Sequence, residues 1–510
     1  MSETGGSKGP ISDFTPEVTA TVIGAGLDLI QERYIEPVRA GDLAISGLSG
    51  LGVLEPSLVA RRADGLVRIA VSGQVIAEIP DDELEDEAAW AVHLALTLNQ
   101  LRLVSPAVAT ARSEQLYEAV FDGILSDLDV FSRYAGSDEA TRNRDQRDGF
   151  DGIGISFRMT GEGALITSIL PQTPAARAQM TSGDVLLAID GHPLARMQRR
   201  DVADLLRGPI GSKVKIKLKK APRPNSTQED RVRDVTLLRK HIVPETVTAI
   251  SSNGIVGFRV SSFNQETADR LAERLKAEKQ RLGPDFAGVV LDLRGNPGGL
   301  LRQSVKIADL FLKRGPIVST QGRHRDSLQF YEAGGRDLAA GKPMVVLVDG
   351  RTASAAEVVA AALQDRGRAA VIGTTSFGKG TVQTVSRLPN NGELTLTWSR
   401  LVAPSGYIIH GLGVVPKVCL SGKEPLRQAQ LFKAVQRDQR PDSWRLTGFS
   451  DPSGRRLVRD SCPPEDRNQT EDWQTAIDLI RNPGLYERAL DGFSVLPPVE
   501  APQAAAVPAE

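Results

Sequence analysis

MVVLVDGRTASAAEVVAAALQD, residues 344–365, joins an apolar β-type run to an alanine-rich run through a short polar turn. The composition of Ala355 to Leu363 favours a helix, so Ser354 lies where a strand leads into a helix. The first N–H groups of a helix lack internal partners and carry partial positive charge, so the Ala355 N–H can stabilise an oxyanion. A second interpretation needs no chemistry, because Ser354 and Glu357 also form a capping box.

Strand and helix patterns alternate on both sides of this turn. The predicted elements are Ile255 to Val260, Gln265 to Leu282, Val289 to Leu293, Ser304 to Leu312, Met344 to Val348, Ala355 to Asp365 and Ala370 to Ile372. Such alternation is typical of an α/β core with parallel strands.

Two other segments carry candidate chemical groups. Lys379 stands between Gly378 and Gly380 and can fold back into a pocket, where desolvation lowers the pKa of its amine. A neutral lysine can accept a serine proton, although a lysine in a glycine loop is more often a surface residue. The segment Leu291 to Gly299 is predicted to be a buried strand ending in a glycine turn. The N–H groups of this turn can face a developing anion. The alternative is an ordinary β-to-α connection with no chemical role.

Together these segments resemble the carboxy-terminal processing peptidases, also called tail-specific proteases. The resemblance runs from about Asp151 to Val415 and includes Gly152 to Ile155, Ile189 to Gly191, Asp292 to Gly299, Thr320 to Arg323, Gln364 and Asp365, Gly373, Phe377 to Gln383, and Gly411 to Pro416. The chain departs from the family at Thr352 and Ala356, where further serines are usual, and at Lys417, where Asp is common. None of these changes removes a reacting group.

The resemblance implies a role for each matching residue. Ser354 is the nucleophile, Lys379 the general base, and Gln383 the residue that orients the lysine. The oxyanion hole is implied at the N–H groups of Gly298, Gly299 or both, together with Ala355, and the supporting positions are Glu357, Asp365 and Ser376. The implied core is the spiral α/β fold shared with Clp-type proteases and crotonases.

Residues 150–242 resemble a PDZ domain. Gly152, Ile153, Gly154 and Ile155 match the loop whose N–H groups hold a peptide's terminal carboxylate, and the strand edge from Ser156 to Arg158 pairs with the peptide. Gly183 to Gly191 matches a later strand and turn. Asp201 to Arg207 matches the groove helix, with Val202 and Leu205 or Leu206 expected in the side-chain pocket.

The remaining segments complete a multidomain α/β organisation. We expect a disordered tail at residues 1–20, an N-terminal helical cap and dimerisation region at 21–145, the PDZ domain at 150–242, the protease core at 245–418, a C-terminal helical extension at 419–493, and a disordered tail at 494–510. Predicted helices are Val22 to Tyr34, Trp90 to Leu101, Glu114 to Leu128 and Trp473 to Ile480. The charged segment Asp138 to Asp148 is predicted to be a linker, and Ala221 to Asp230 a loop. The acidic run Asp81 to Glu87 is interpreted as a solvated helix entry, with a docking patch as the alternative.

Charge and composition restrict the partners. The 62 basic and 63 acidic side chains give a formal net charge of −1, so nothing favours nucleic-acid binding. No apolar run reaches the ~20 residues that span a bilayer, and Met1 to Lys8 lack the apolar core of a signal peptide. Cys419 and Cys462 would close a loop of about 44 residues, worth roughly 4 kcal/mol if bridged, or they are unrelated thiols. Because relatives are mostly exported, we expect a periplasmic protein, with the cytoplasm as the alternative.

The predicted function is a serine endopeptidase that binds protein C-termini and cleaves near the tail. No cofactor and no metal are expected, since His93, His192, His241, His324 and His410 lack metal-ligand spacing. His410 as general base is a weaker alternative. Other candidate functions are an inactive PDZ-containing scaffold and a crotonase-like acyl-CoA enzyme. Expected partners are substrate C-termini, a second copy of the chain and, as a further candidate, an adaptor protein.

Overall fold

The computed structural model describes residues 14–81, 86–221, 232–422, 445, 447–467 and 470–490. Its α-helices are α1 (Pro16–Arg33), α2 (Ala40–Gly50), α3 (Glu87–Val104), α4 (Pro106–Thr110), α5 (Ser113–Ser126), α6 (Ser137–Asp148), α7 (Pro174–Arg177), α8 (Arg199–Leu206), α9 (Thr267–Leu282), α10 (Leu301–Asp309), α11 (Ala355–Asp365), α12 (Pro452–Asp460), α13 (Thr470–Arg481) and α14 (Pro483–Leu490). The predicted tail 494–510, residues 82–85 of the acidic run and residues 222–230 of the predicted loop lie outside the described residues.

The strands belong to several sheets. They are β1 (Leu58–Ala63), β2 (Leu66–Val71), β3 (Gln74–Pro80), β4 (Arg133–Ala135), β5 (Phe150–Gly152), β6 (Ile155–Thr160), β7 (Gly163–Ile169), β8 (Val185–Ile189), β9 (His192–Pro193), β10 (Lys213–Lys219), β11 (Val232–Leu238), β12 (Lys240–Ile242), β13 (Val247–Ser252), β14 (Ile255–Val260), β15 (Gly288–Asp292), β16 (Pro316–Gln321), β17 (Gln329–Glu332), β18 (Met344–Val348), β19 (Ala370–Gly373), β20 (Thr381–Arg387), β21 (Glu393–Val402) and β22 (Val418–Cys419).

The predicted α/β core is present. Its sheet has the order β13-β14-β15-β18-β19-β22, in which β14 to β22 pair in parallel and β13 is an antiparallel edge. Every residue of β15 and β18 is buried, because helices cover both faces of the sheet. Helix α11 is buried from Ala355 to Gln364, so the serine at its start is fixed by the core itself.

A second sheet in the core includes a strand from the N-terminal region. It has the order β17-β16-β21-β20, and β4 also pairs with β21 through Tyr134 opposite Leu394. Residues 129–135, just after α5, are thereby joined to the sheet that carries β20. The N-terminal region therefore shares a sheet with the core, and its role as a cap and dimerisation region stays a prediction.

The N-terminal region differs from the predicted set of helices in two ways. Helix α1 begins at Pro16, inside the segment predicted to be disordered, because Thr15 caps it and Pro16 occupies its first turn. A three-stranded antiparallel sheet, β1-β2-β3, lies between α2 and α3. Its buried residues include Leu58, Val67 and Ile79, which pack against the helices.

The segment predicted to be a linker is helix α6, so that prediction is wrong. Only Ala140 of its residues is buried, which explains the missing apolar period. Ion pairs hold the helix instead: Arg144 and Arg147 lie 3.0 and 3.1 Å from the carboxylate of Glu393 on β21. The Glu393 side chain is only 5% exposed, so both arginines compensate a buried charge.

The PDZ region is a sheet with the order β11-β10-β8-β7-β6, and helix α8 packs on it. The edge predicted to pair with a peptide belongs to β6, the last strand in this order. The turn from Gly152 to Ile155 precedes β6 and follows β5, which pairs with β12.

The C-terminal extension packs against the core. Trp473 on α13 covers Gly257 of β14, where an added Cβ would lie 1.8 Å from the indole ring. Cys419 and Cys462 form a disulfide, which settles the two alternatives left by the sequence. No helix in the described ranges has both the length and the apolar content that a membrane span requires.

Candidate active site and peptide groove

The backbone at Ser354 is strained. Its φ of 56° lies in the left-handed region, which side chains other than glycine rarely adopt. The Glu357 N–H is bonded at 2.8 Å to the main-chain carbonyl of Ser354, so the first turn of α11 does not depend on the serine hydroxyl for that bond. A strained residue between a buried strand and a buried helix is the arrangement that presents a reactive side chain at a fixed position.

Glu357 joins the serine turn to the lysine loop. One carboxylate oxygen accepts the Ser354 N–H at 2.8 Å, and the other accepts the Gly378 N–H at 2.7 Å and the Ser376 hydroxyl. The side chain is fully buried, and this desolvation raises its pKa to about 7. Two segments that are distant in sequence therefore meet on one carboxylate.

The glycine turn lies directly against the serine. A Cβ added to Gly298 would be 2.8 Å from the Cβ of Ser354 and 3.0 Å from the Ala355 nitrogen. The Gly298 N–H already donates to Asn296 Oδ1 at 2.8 Å. Among the described residues, the N–H groups of Gly299 and Ala355 have no hydrogen-bond partner. Of the candidate donors, these two are the available ones.

Lys379 is partly buried beside an aromatic ring. Its Nζ lies 4.9 Å from the ring centroid of Phe131, which comes from the N-terminal region. Burial, and then the positive charge of Arg133, lower the pKa of Lys379, while Asp129 and Glu357 oppose the shift. Within the described part of the chain, no hydrogen bond joins its amine to the Ser354 hydroxyl.

Gln383 does not contact Lys379 through a hydrogen bond in the described residues. Its amide donates to Thr381 Oγ1 at 2.8 Å and to Thr397 Oγ1 at 3.3 Å. Thr397 donates in turn to Asp129 at 3.1 Å. Gln383 thus belongs to a polar chain that leads to the segment carrying Phe131.

The other two supporting residues hold loops in place. Ser376 donates to Glu357 and accepts the Val414 N–H at 2.7 Å. Asp365 lies at the far end of α11, where it binds Ser405 at 2.6 Å and Arg445 at 3.1 Å. Asp365 is therefore distant along the helix from the serine, and its contacts are structural.

His410, the alternative base, packs between aromatic rings. Its ring centroid lies 5.9 Å from that of Phe131 and 6.2 Å from that of Phe449. Burial, and then the charge of Arg400, lower the pKa of its imidazole. No hydrogen bond joins it to Ser354 among the described residues. Across the same ranges, no group of three or more His, Cys, Asp or Glu side chains is placed to hold a metal ion.

The loop of Lys379, the candidate base, is supported by the C-terminal extension. Arg459 on α12 donates to the carbonyl oxygens of Ser376 and Leu412 at 3.2 and 2.8 Å. The Thr375 hydroxyl donates to the carbonyl of Cys462, the disulfide residue. Burial lowers the pKa of Arg459. The extension is therefore part of the structure that positions Lys379.

The candidate peptide groove is a cavity of about 410 Å³ beside β6 and α8. It is lined by all four residues of the predicted carboxylate loop, Gly152 to Ile155, and by Leu206 of the predicted pocket. Val202 does not line it: this side chain is 0% exposed and packs in the PDZ core, and Leu205 packs against the same cluster. Ala203 and Arg199 of α8 line the cavity instead, together with the predicted Leu206.

Sequence reasoning missed Phe131, Asp129 and the groove residues on α6. Segment 129–133 has no motif, and its position depends on the pairing of β4 with a strand far along the chain. Helix α6 is rich in charged residues and has no apolar period, so its sequence did not predict a helix. Only the contact between distant segments identifies these residues.

Comparison with known proteins gives consistent matches. Residues 254–420 match the model of peptidase family S41, and residues 165–220 match a PDZ domain model. The carboxy-terminal-processing protease of Bartonella bacilliformis is 36% identical over 315 residues, which cover 61% of this chain and 71% of that protein. The carboxy-terminal processing protease CtpA of Bacillus subtilis is 31% identical over 309 residues, covering 60% of this chain and 64% of that protein.

The match to the Bacillus protein thus spans slightly less than two thirds of its length. A solved structure, the photosystem II D1 C-terminal processing protease, aligns with 78% of this chain and 92% of its own, at 24% identity and a TM-score of 0.39.

Proposed function

Because the chain belongs to the carboxy-terminal processing proteases, the serine peptidases of family S41, we propose that it cleaves protein substrates near their C-termini by a Ser–Lys mechanism. The observation that carries the proposal is the position of Glu357. This buried carboxylate binds the Ser354 N–H and the Gly378 N–H, so the nucleophile and the residue preceding the base share one support.

The mechanism follows from the groups at the site. Lys379 as the neutral amine accepts the proton of Ser354 while Oγ attacks the scissile carbonyl carbon. The N–H groups of Gly299 and Ala355 stabilise the oxyanion of the tetrahedral intermediate. Its collapse breaks the C–N bond, and Lys379 returns the proton to the leaving amine. Water, deprotonated by Lys379, then hydrolyses the acyl-enzyme and frees Ser354.

Tail recognition belongs to the PDZ groove in this proposal. The turn from Gly152 to Ile155 binds the terminal carboxylate, and the substrate adds a strand to the free edge of β6. Amidation removes the charge that the turn binds, so we expect a C-terminally amidated peptide to bind at least about tenfold more weakly than its free acid.

The test compares peptide products by mass spectrometry. A candidate protein substrate is incubated with the wild-type chain, with Ser354→Ala and with Lys379→Ala. We expect C-terminal fragments from the wild type alone, because both variants disable one proton-transfer unit. His410→Ala is the matched control and keeps most of the activity. Lys379→Ala retaining more than a tenth of the rate contradicts the dyad, and hydrolysis by His410→Ala falling equally far assigns the base to the histidine.

Assembly and location are proposed on separate observations. Val92, Leu96 and Leu103 of α3 are 48, 47 and 81% exposed, and this apolar face supports a homo-oligomer. The Cys419–Cys462 disulfide favours an oxidising compartment, which supports the periplasm over the cytoplasm. An adaptor protein stays a prediction from the sequence.

A further inference from the structure

Helix α6 lies beside the groove helix α8, although it precedes the PDZ region in the chain. Asp138 on α6 lies 3.0 Å from Arg200 on α8, and Asp145 pairs with Arg207 at the end of α8. Positions 138 and 145 are two helical turns apart, and so are 200 and 207. The two helices therefore run side by side in the same direction, linked at both ends.

This pairing gives the peptide groove a third wall. The cavity is lined from α6 by Arg142, Asp145 and Gln146, in addition to the β6 and α8 sides. Because Arg144 and Arg147 on other faces of α6 bind the buried Glu393, the wall is fixed to the protease core. A peptide in the groove thus meets residues from outside the PDZ region.

The charges lining the groove do not balance. Arg207 is neutralised by Asp145. Arg142 and Arg199 also line the cavity, and neither has a carboxylate partner among the described residues. The Arg199 guanidinium lies 5.7 Å from the ring centroid of Phe157, in the middle of β6. The groove therefore presents two uncompensated cations, one from each helix.

The direction of a bound peptide determines which of its residues lie beside Arg142 and Arg199. A tail whose carboxylate is held at Gly152 to Ile155 and which pairs antiparallel with β6 has its preceding residues alongside Ser156 and Phe157. Side chains alternate along a strand, so one of the two or three residues before the terminal residue faces the helices. That side chain is the one that meets Arg142 and Arg199.

We propose that the groove between β6, α8 and α6 selects substrate tails that carry an acidic side chain one to three residues before an apolar C-terminal residue. This inference rests on the proposed tail recognition and adds the substrate class. Arg142 and Arg199 are its specificity-determining residues, and the paired Arg207 is not.

The test measures binding to full-length Ser354→Ala protein, which prevents cleavage. Fluorescein-labelled peptides share one apolar C-terminus and carry Asp or Asn at each of the three preceding positions. We expect Asp at one of these positions to bind about fivefold more tightly than Asn in low salt, with the advantage reduced at 1 M salt, where the Debye length is about 3 Å. In Arg142→Gln/Arg199→Gln the advantage should fall below about twofold.

Arg177→Gln is the matched control, since Arg177 is an exposed arginine of the PDZ region that does not line the groove. It should keep the full preference. Equal affinity for the Asp and Asn peptides at all three positions overturns the acidic preference while leaving tail recognition intact, provided that the amidated twin binds more weakly. Equal affinity for free acid and amide, or no binding of any peptide, overturns tail recognition and this inference together.

Discussion

Two features of the site shift the pKa of Lys379 in opposite directions. Burial lowers the pKa of the amine, whereas the Phe131 ring 4.9 Å away stabilises the ammonium form. A general base must lose its proton before it can act, so in the proposed mechanism the balance between burial and the ring sets the pH at which activity appears.

In the proposed mechanism the pH–rate profile of kcat/KM should rise with pH as Lys379 loses its proton, and the midpoint should lie below the usual pKa of a lysine side chain. Phe131→Leu keeps an apolar neighbour but removes the ring, so the pKa of Lys379 should fall and the rise should move to lower pH by about half a unit. The measurement is hydrolysis of a fluorogenic peptide from pH 5 to 10. A wild-type profile that is already flat from pH 5 would show that Lys379 is not the base. An unshifted profile of Phe131→Leu would show that the ring does not affect the pKa of Lys379.

Glu357 should also affect catalysis below neutral pH. Its pKa of about 7 means that acidification protonates a carboxylate whose oxygens accept bonds from Ser354, Ser376 and Gly378. For stability the sign is opposite: the raised pKa adds stability that is fully present below pH ~4.5 and is lost as pH rises through about 7.

Glu357→Gln replaces one acceptor by an amide donor that faces existing donors, so we expect kcat to fall at least tenfold. KM should change much less, because the substrate groove is untouched. Kinetics at pH 8, with circular dichroism to establish folding, measures this. Ser376→Ala is the control: it removes one of the three bonds and should lose less activity. Wild-type kcat in Glu357→Gln would show that the shared support is dispensable.

At the scale of elements, α6 is held by charge where most helices are held by apolar burial. Arg144→Ala/Arg147→Ala leaves the buried Glu393 uncompensated, and we expect a loss of about 3 kcal/mol in the free energy of unfolding. Chemical denaturation of the Ser354→Ala background measures the change. Arg142→Ala, on the same helix without an ion pair among the described residues, is the control and should be nearly neutral. A loss below about 1 kcal/mol in the double variant contradicts this account.

Helix α6 also shows what the sequence could predict. Strands β15, β18 and β19 and helix α11 were predictable because apolar runs and an alanine-rich run encode buried elements directly. Ser354, Lys379 and the glycine turn were selected from their local patterns and from the resemblance to the peptidase family, and their catalytic roles stay predictions. Helix α6 has partners far away in the chain, and the choice between Val202 and Ala203 depends on the rotation of α8, so neither was encoded locally.

For the whole molecule, the Cys419–Cys462 disulfide links the last core strand to the extension that supports the base loop. Its sequence separation is 43 residues, which in the chain-entropy model contributes roughly 4 kcal/mol. Reduction of Ser354→Ala should lower the melting temperature of the core by roughly 8–16 °C. Scanning calorimetry with and without reductant measures this, and Cys419→Ser/Cys462→Ser should melt at the reduced value and ignore reductant. Equal melting temperatures for oxidised and reduced protein would show that the disulfide does not stabilise the core.

The pairing of β4 with β21 affects the order in which the protein folds during its synthesis on the ribosome. Strand β4 is synthesised early, but Arg133 pairs with Thr395, which leaves the ribosome much later. The PDZ region between them can fold while the partner of β4 does not yet exist, since domains fold as units during synthesis. Phe131 cannot be anchored over Lys379 until β21 has emerged, and Arg459 and Cys462 follow later still. A partly synthesised chain therefore lacks the complete candidate active site until the C-terminal extension has been made.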